Sequence, residues 1–279
     1  MIKVIVDSGS SIKPHEKDLY GVDIIPISIS LEEENYLDGV DLSYERFYTA
    51  LVEEKIFPKT ALPSIGNIKK VVKQYLEQGD QVIIVTISSS ISSEYNTIRL
   101  TYLDNPNVLV LDSKQAIGGI KLIIKEINKH LDKSLDEIKE IIEKFIPRIR
   151  ISGVPDTLEY LHRGGRLSTV GYVFGSLLHV KPIITMDDGI LHVYAKARGN
   201  NQAMSRILSD LENADLDYPI VPCYTYKTDN LEILLSKTDE KYKKQMIEYD
   251  HISLSIASHW GPNGYGYVYV EKNQKYLNK

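Results

Sequence analysis

Three short apolar runs constrain this chain more than any other feature. IKVIVDS (residues 2–8), QVIIVTIS (81–88) and NVLVLDS (107–113) are nearly continuous in Val, Ile and Leu, and each breaks off into serine. Short, uniformly apolar runs predict strands buried on both faces, as in a parallel sheet covered by helices. VDIIPISIS (22–30) reads as one further strand. The intervening segments supply the helices. SYERFYTALVEE (43–54) has Ser43 as its N-cap, and a helix from Ser64 places Ile65, Ile68, Val71, Val72, Tyr75 and Leu76 at helical spacing before Gly79 stops it. A helix over 92–103 follows the serine-rich stretch ISSSISSEY. Two more follow NVLVLDS, the second opening on the capping box Ser134–Glu137.

The texture changes near residue 150. RIRISGV (148–154) reads as a strand, and Asp156 and Glu159 cap a short helix, TLEYLHR, that ends at Gly164–Gly165. KPIITMDDGILHVYAKAR (181–198) reads as a hairpin turning at Asp187, Asp188 and Gly189. A helix (201–213), a strand (219–225), a helix (229–236) and the strands HISLSIA (251–257) and YGYVYVE (265–271) complete the chain. Hairpins mixed with helices predict an α+β layer, with the boundary near residue 150.

Composition narrows the function. A chain of 279 residues holds one large domain or two ordinary ones. The formal net charge of -5, with no long basic run, argues against nucleic acid. There is no apolar stretch of membrane-spanning length, and the opening residues read as a strand, not a signal peptide. Cys223 is the only cysteine and the seven histidines are scattered singly, so disulfides within the chain and a cysteine-based zinc site are excluded. The expectation is a metal-free cytoplasmic protein. The 19 tyrosines against 4 Phe and 1 Trp are expected at surfaces and edge strands.

Ligands of open parallel sheets bind beyond the carboxyl ends of the strands. Four hydroxyl-rich segments are candidates: Asp7 to Ser11, Thr60 to Ser64, Ser88 to Ser93, and Asp112–Ser113. A helix N-terminus adds unpaired N–H groups suited to an anion, so Ser92 and its neighbours can receive a carboxylate or phosphate. The competing reading is that each serine caps its own helix. GGRLS (164–168) presents Arg166 on a glycine loop or simply ends a helix. SHWGPNGYG (258–266) places His259 at the end of a strand. Ser92 with His259 also suits a nucleophile and its base, although no GxSxG elbow is present.

Taken together, VDSGSSI, KTALPS, ISSSISSEYNTI, LDSKQAIGGIKLI, DTLEYLHRGGRLS followed by LLHVKPII, Ala197–Arg198 before a helix, and ASHWGPNGYG resemble the DegV family of bacterial fatty-acid-binding proteins along essentially the whole chain. The resemblance implies a two-domain α/β fold. Residues 1–150 would form a three-layer α/β/α unit carrying the head-group loops. Residues 151–279 would form an α+β unit with a mixed sheet that closes a lipid tunnel. It implies no catalysis and no cofactor in the chain itself. A long-chain fatty acid would be held by its carboxylate at Thr60, Ser92, Ser93 and His259, with Arg166, Arg198, Ser8 and Ser113 toward the head group or a partner. The implied partners are a separate fatty acid kinase and a downstream acyltransferase, with only transient membrane contact. Three motifs depart from the family pattern. TSQPS is TALPS here, with Ala61 and Leu62. SGTY is SSEY, which sets Glu94 beside the expected head group as a like charge unless it points to solvent. GTHTGPG is SHWGPN, with Trp260 bulky and Asn263 in place of a glycine.

Overall fold

The computed structural model describes residues 1–167, 180–249 and 251–272. In the first half the strands are β1 (Ile2–Asp7), β2 (Val22–Ile25), β3 (Ser28–Leu31), β4 (Glu34–Leu37), β5 (Lys59–Ala61), β6 (Gln81–Thr86) and β7 (Val108–Asp112). The apolar runs pair in parallel in the order β2-β1-β6-β7. Strand alternation then sends side chains to two opposite layers. Ile5, Val82 and Ile84 pack with Ile68, Val72 and Ile98 of helices Ile65–Glu77 and Glu94–Thr101. Val4, Val6, Ile83 and Val85 join the large core that holds Ile120 and Ile124 of helix Gly118–Ile127. Local signals place the helix starts: Ser64 Oγ accepts from Asn67 N, and the Ser134–Glu137 capping box is formed.

The expected single strand over 22–30 is two. Pro26 offers no N–H at the break, and Ile27 N donates to Ser8 Oγ at 3.1 Å instead of continuing a ladder. β3 turns away to pair antiparallel with β4 and β5 in a small sheet, so Thr60 sits on an antiparallel strand of its own. Ser43 Oγ accepts from Arg46 N as expected, but the helix it starts is α only over Tyr44–Tyr48 and widens to a π turn over Thr49–Glu53.

The second half contains β8 (Ile149–Val154), β9 (Val180–Asp187), β10 (Ile190–Arg198), β11 (Val221–Tyr224) and β12 (Tyr265–Val270), ordered β10-β9-β8-β12-β11. The expected mixed sheet is antiparallel at each of these pairings. Among the described residues of this half, parallel pairing is confined to the isolated bridges Ile220–Met246 and Tyr224–His251. The β9–β10 hairpin turns at Asp188 (φ 46°) and Gly189 (φ 80°), the pair of positive φ angles that a tight two-residue hairpin needs. Asp156 does not cap the next helix. It binds Lys181 Nζ at 2.5 Å, and Thr157 Oγ1 accepts from Glu159 N instead. Ser168 of GGRLS and Leu177 to His179 of LLHVKPII lie outside the described residues.

HISLSIA is not a strand. Its alternation of Ile252, Leu254 and Ile256 mimics a period of two, yet Leu254–Trp260 is a helix. Two tertiary features override the pattern. The Asp38 carboxylate, from the turn after β4, accepts from Leu254 N (3.2 Å) and Ser255 N (3.1 Å), which satisfies the first free N–H groups. Gly261, at φ 84°, ends the helix. Ser258 Oγ donates to Leu254 O, a bond between residues four apart that only a helix brings into reach.

The tyrosines also correct an expectation. β12 is a central strand, and Tyr265, Tyr267 and Tyr269 line one buried face of it. They pack with Met204, Ile207 and Leu211 of helix Gly199–Leu211 and Leu231 and Leu234 of helix Asp229–Lys237. Tyr267 Oη shares a hydrogen bond with Thr238 Oγ1 at 2.8 Å. On the opposite face, Val268 and Val270 join the large core. Helix Gly118–Ile127 is therefore a middle layer shared by the two sheets.

Candidate functional site

Beyond the carboxyl ends of β2, β6 and β7, between the two sheets, lies a cavity open to solvent at its mouth. Its walls are apolar: Ile27, Ile87, Ile91 and Ile117 from the first half, and Ile151, Leu161, Met186, Leu191 and Trp260 from the second. Thr60, Ser92, Glu94, Arg166, Ser255 and His259 bring polar atoms to it.

His259 stands in the last turn of helix Leu254–Trp260, and its Nε2 is 2.8 Å from Thr60 Oγ1. This bond joins β5 to a helix 199 residues further along the chain. The other side of the ring lies against Gly164: a Cβ there would sit 2.3 Å from His259 Nδ1, so this position requires glycine for close approach. Burial, with the positive charge of Arg166 second, lowers the His259 pKa from 6.5 to about 4. The imidazole is therefore neutral near pH 7 and can donate or accept one hydrogen bond through Nε2.

Arg166 is half-buried. Its Nε donates to Ile91 O at 3.1 Å and its Nη1 donates to Gly164 O. The GGR loop thus clamps the residue next to Ser92. Desolvation lowers the guanidinium pKa, but the group starts so high that it stays charged. Ser92 Oγ accepts from Glu94 N at 3.1 Å, which sets it at the mouth of helix Glu94–Thr101. The pairing that a serine hydrolase needs, Ser92 on His259, is not formed: the hydroxyl at Nε2 belongs to Thr60.

Of the sequence candidates, Thr60, Ser92, Arg166 and His259 converge on the cavity. The other four do not line it. Ser93 is exposed, and its carbonyl takes the Thr97 hydroxyl. Arg198 is exposed at the end of β10, where its N–H donates to Gln202. Ser8 is buried, donating to Asp38 Oδ2 at 2.9 Å. Ser113 is closed into its own turn with Gln115. The middle serines of ISSSISSEY are structural: Ser88 Oγ donates to Gly189 O in the hairpin turn, and Ser89 binds Asp112 through both N and Oγ.

Glu94 does not point to solvent. It is 2% exposed and lines the cavity. Burial, then the nearby Asp7 carboxyl, push its pKa well above the usual carboxylate range. Asp7 accepts from Gly9 N and Ile87 N, tying two strand-end loops together, and burial raises it to about 7. Sequence reasoning missed Ser255 and Ile117. Ser255 was hidden by the wrong period assigned to its segment. Ile117 holds φ 56° and ψ −140° at a cavity wall, a conformation β-branched residues rarely adopt, with its N–H on Gly9 O at 2.9 Å. Trp260 fills space left by Gly153 and Gly264: a Cβ at Gly264 would lie 2.0 Å from the indole Nε1.

Among the described residues no group of His, Cys, Asp and Glu could hold a metal ion, and no helix is long and apolar enough to cross a membrane.

Known proteins resemble this chain in sequence and in fold. A DegV domain-containing protein of Caldanaerobacter subterraneus is 32% identical over 280 residues, covering 97% of this chain and 99% of its own. A DegV family protein from Thermus thermophilus, described for fatty acid binding, superposes with a TM-score of 0.84 at 26% identity, covering 96% and 99% of the two chains. A stearic acid-binding protein from Eubacterium ventriosum superposes with a TM-score of 0.82 at 26% identity, covering 98% and 99%. The family model described as "uncharacterised protein, DegV family" matches residues 1–272, and the chain belongs to the DegV family.

Proposed function

We propose that the chain binds a long-chain fatty acid in this cavity, with its carboxylate among Thr60, Ser92, His259 and Arg166. The observation that carries the reading is the lining of the cavity, apolar walls whose hydrogen-bonding groups include a neutral histidine bonded to a threonine. Burying about 14 methylenes gains on the order of 11 kcal/mol before entropy costs, at roughly 0.8 kcal/mol each. A carboxylate cannot be buried without partners, and hydroxyls, an imidazole and a guanidinium supply them.

In this reading residues 1–150 provide the hydroxyl-bearing loops and residues 151–279 close over the acyl chain. Both halves line the cavity, Thr60 and Ser92 from the first, Leu161, Arg166 and His259 from the second. The protein performs no chemistry of its own. It presents the carboxylate to a separate fatty acid kinase in the cytoplasm and carries the acyl phosphate on to an acyltransferase, touching membranes only transiently.

Mass spectrometry of lipid extracted from the purified protein tests the binding step. A reproducible fatty acid mass is expected, and delipidated protein should take up palmitate or oleate. No bound lipid and no uptake would sink the reading. For the carrier step, loaded protein mixed with ATP and a purified fatty acid kinase should yield acyl phosphate, and kinase without this protein should yield far less.

A further inference from the structure

Among the described residues, Glu94 is the one carboxyl that lines the cavity, and the proposed function leaves it without a role. It opens helix Glu94–Thr101, lines the cavity beside Ser92 and is 2% exposed. Among the described residues, its Oε2 has no hydrogen-bond partner. An ionised carboxylate left in that state is too costly to persist, and such a group keeps its proton.

The charged and titratable groups around it do not change that. Asp7, at the end of β1, adds a like charge and has its own oxygens on Gly9 N and Ile87 N. Arg166 is turned to the carbonyls of Ile91 and Gly164. His259 is neutral and faces Thr60. Glu94 is thus a carboxylic acid with a free oxygen at the site of a hydroxyl-bearing anion cradle.

We propose that Glu94 is the proton-bearing donor of the head-group site: its carboxylic O–H donates to the ligand's carboxylate, and the two carboxyls share one proton. The inference rests on a fatty acid occupying the cavity and adds how its head group is held. An arriving carboxylate brings a negative charge beside the protonated Glu94, which strengthens Glu94's hold on its proton. The resulting O–H···O⁻ bond belongs to the shortest and strongest class. What looks like a like-charge conflict in the sequence becomes selection for an anionic head group over a long-chain amine.

Calorimetric titration of delipidated protein tests this in two stages. Palmitate is first titrated into the wild type. Hexadecanesulfonate, which stays ionised at every working pH, is then titrated into the wild type, E94A and E94Q between pH 6 and 9. At pH 7 the E94A protein should bind about 10- to 100-fold more weakly. E94Q keeps an N–H donor and should lose only about a few-fold. Wild-type affinity should fall as pH rises through the titration of Glu94, while E94Q stays nearly level, with Asp7 present in both. The infrared C=O stretch of a protonated carboxyl should be present in the wild type at pH 7 and weakened in E94Q. Tighter or unchanged binding in E94A and E94Q, tighter binding of hexadecylamine than of the sulfonate, or no change in the carboxyl band on E94Q overturns the inference. Wild type that takes up palmitate while E94A is unimpaired removes this inference alone; wild type that takes up none removes the proposed function with it.

Discussion

Two loops of nearly the same chemistry follow two neighbouring strands of the parallel sheet, and they do opposite things. After β1, Ser8 and Ser11 are both buried. Ser8 Oγ donates to Asp38, and Ser11 Oγ accepts from Ser253 N at 3.0 Å. After β6, Ser88 and Ser89 are likewise engaged, but Ser92 reaches the cavity. The difference does not lie in the serines. A single buried carboxylate, Asp38, arrives over the first loop and converts it into an anchor for the helix that carries His259. Among the described residues, no carboxylate accepts from the Ser92 hydroxyl, which takes the N–H of Glu94. The fate of a hydroxyl is set by what the fold brings opposite it.

The sharpest way to break this contrast is to remove Asp38. Its two oxygens accept from Ser8 Oγ, Leu254 N, Ser255 N and Ser255 Oγ, all in a buried setting. Asp38→Ala strands those donors and should cost about 3–5 kcal/mol of stability. Urea unfolding should show the loss, and palmitate binding should weaken with it because His259 rides on the same helix. A loss below about 1 kcal/mol would mean that the helix is held by its packing and not by this carboxylate.

Legibility in the sequence follows the range of the interactions involved. The parallel strands, the Ser43, Ser64 and Ser134 caps and the Asp188–Gly189 turn are local, and residue pattern alone places them. HISLSIA is misread because its helix start is supplied from outside, by Asp38 at a separation of 216 residues from Leu254. Thr60 and His259 each stand out as single residues, but their 2.8 Å contact depends on β5 turning back beside that helix. Ser8 and Ser92 look alike in sequence because the difference is a distant partner: Ser8 Oγ donates to Asp38, 30 residues on, while Ser92 Oγ accepts from Glu94 N, two residues on.

A second test uses protons. The His259 pKa is 6.5 in a free chain and about 4 in the fold, chiefly through burial. Between those values the unfolded state binds the proton more readily, so acid favours unfolding through this group. Stability from neutral His259 is complete above pH 6.5 and is lost as pH falls toward 4, by up to about 1.4 kcal/mol per pH unit. His259→Gln should remove that part of the slope, while Asp7 and Glu94 titrate in both proteins. Delipidated protein unfolded at successive pH values checks it. Identical slopes would show that His259 is not desolvated in solution.

The finest cut replaces the two serines themselves. Ser8→Ala leaves Ile27 N and an Asp38 oxygen without their shared partner, at a cost of about 1–3 kcal/mol. Because Ser8 does not line the cavity, palmitate affinity should stay within about threefold of wild type. Ser92→Ala should do the reverse. Its hydroxyl is half-buried and receives only Glu94 N, so stability should fall by about 0.5–1 kcal/mol, the size of a lost helix cap. Palmitate affinity should fall about 10-fold, because a buried carboxylate loses one of its donors. Unfolding curves and palmitate titrations on the same two proteins separate the loops. Equal affinity losses in both variants would mean that Ser8 acts on the ligand through the Asp38-held helix, and that anchor and cradle are one device.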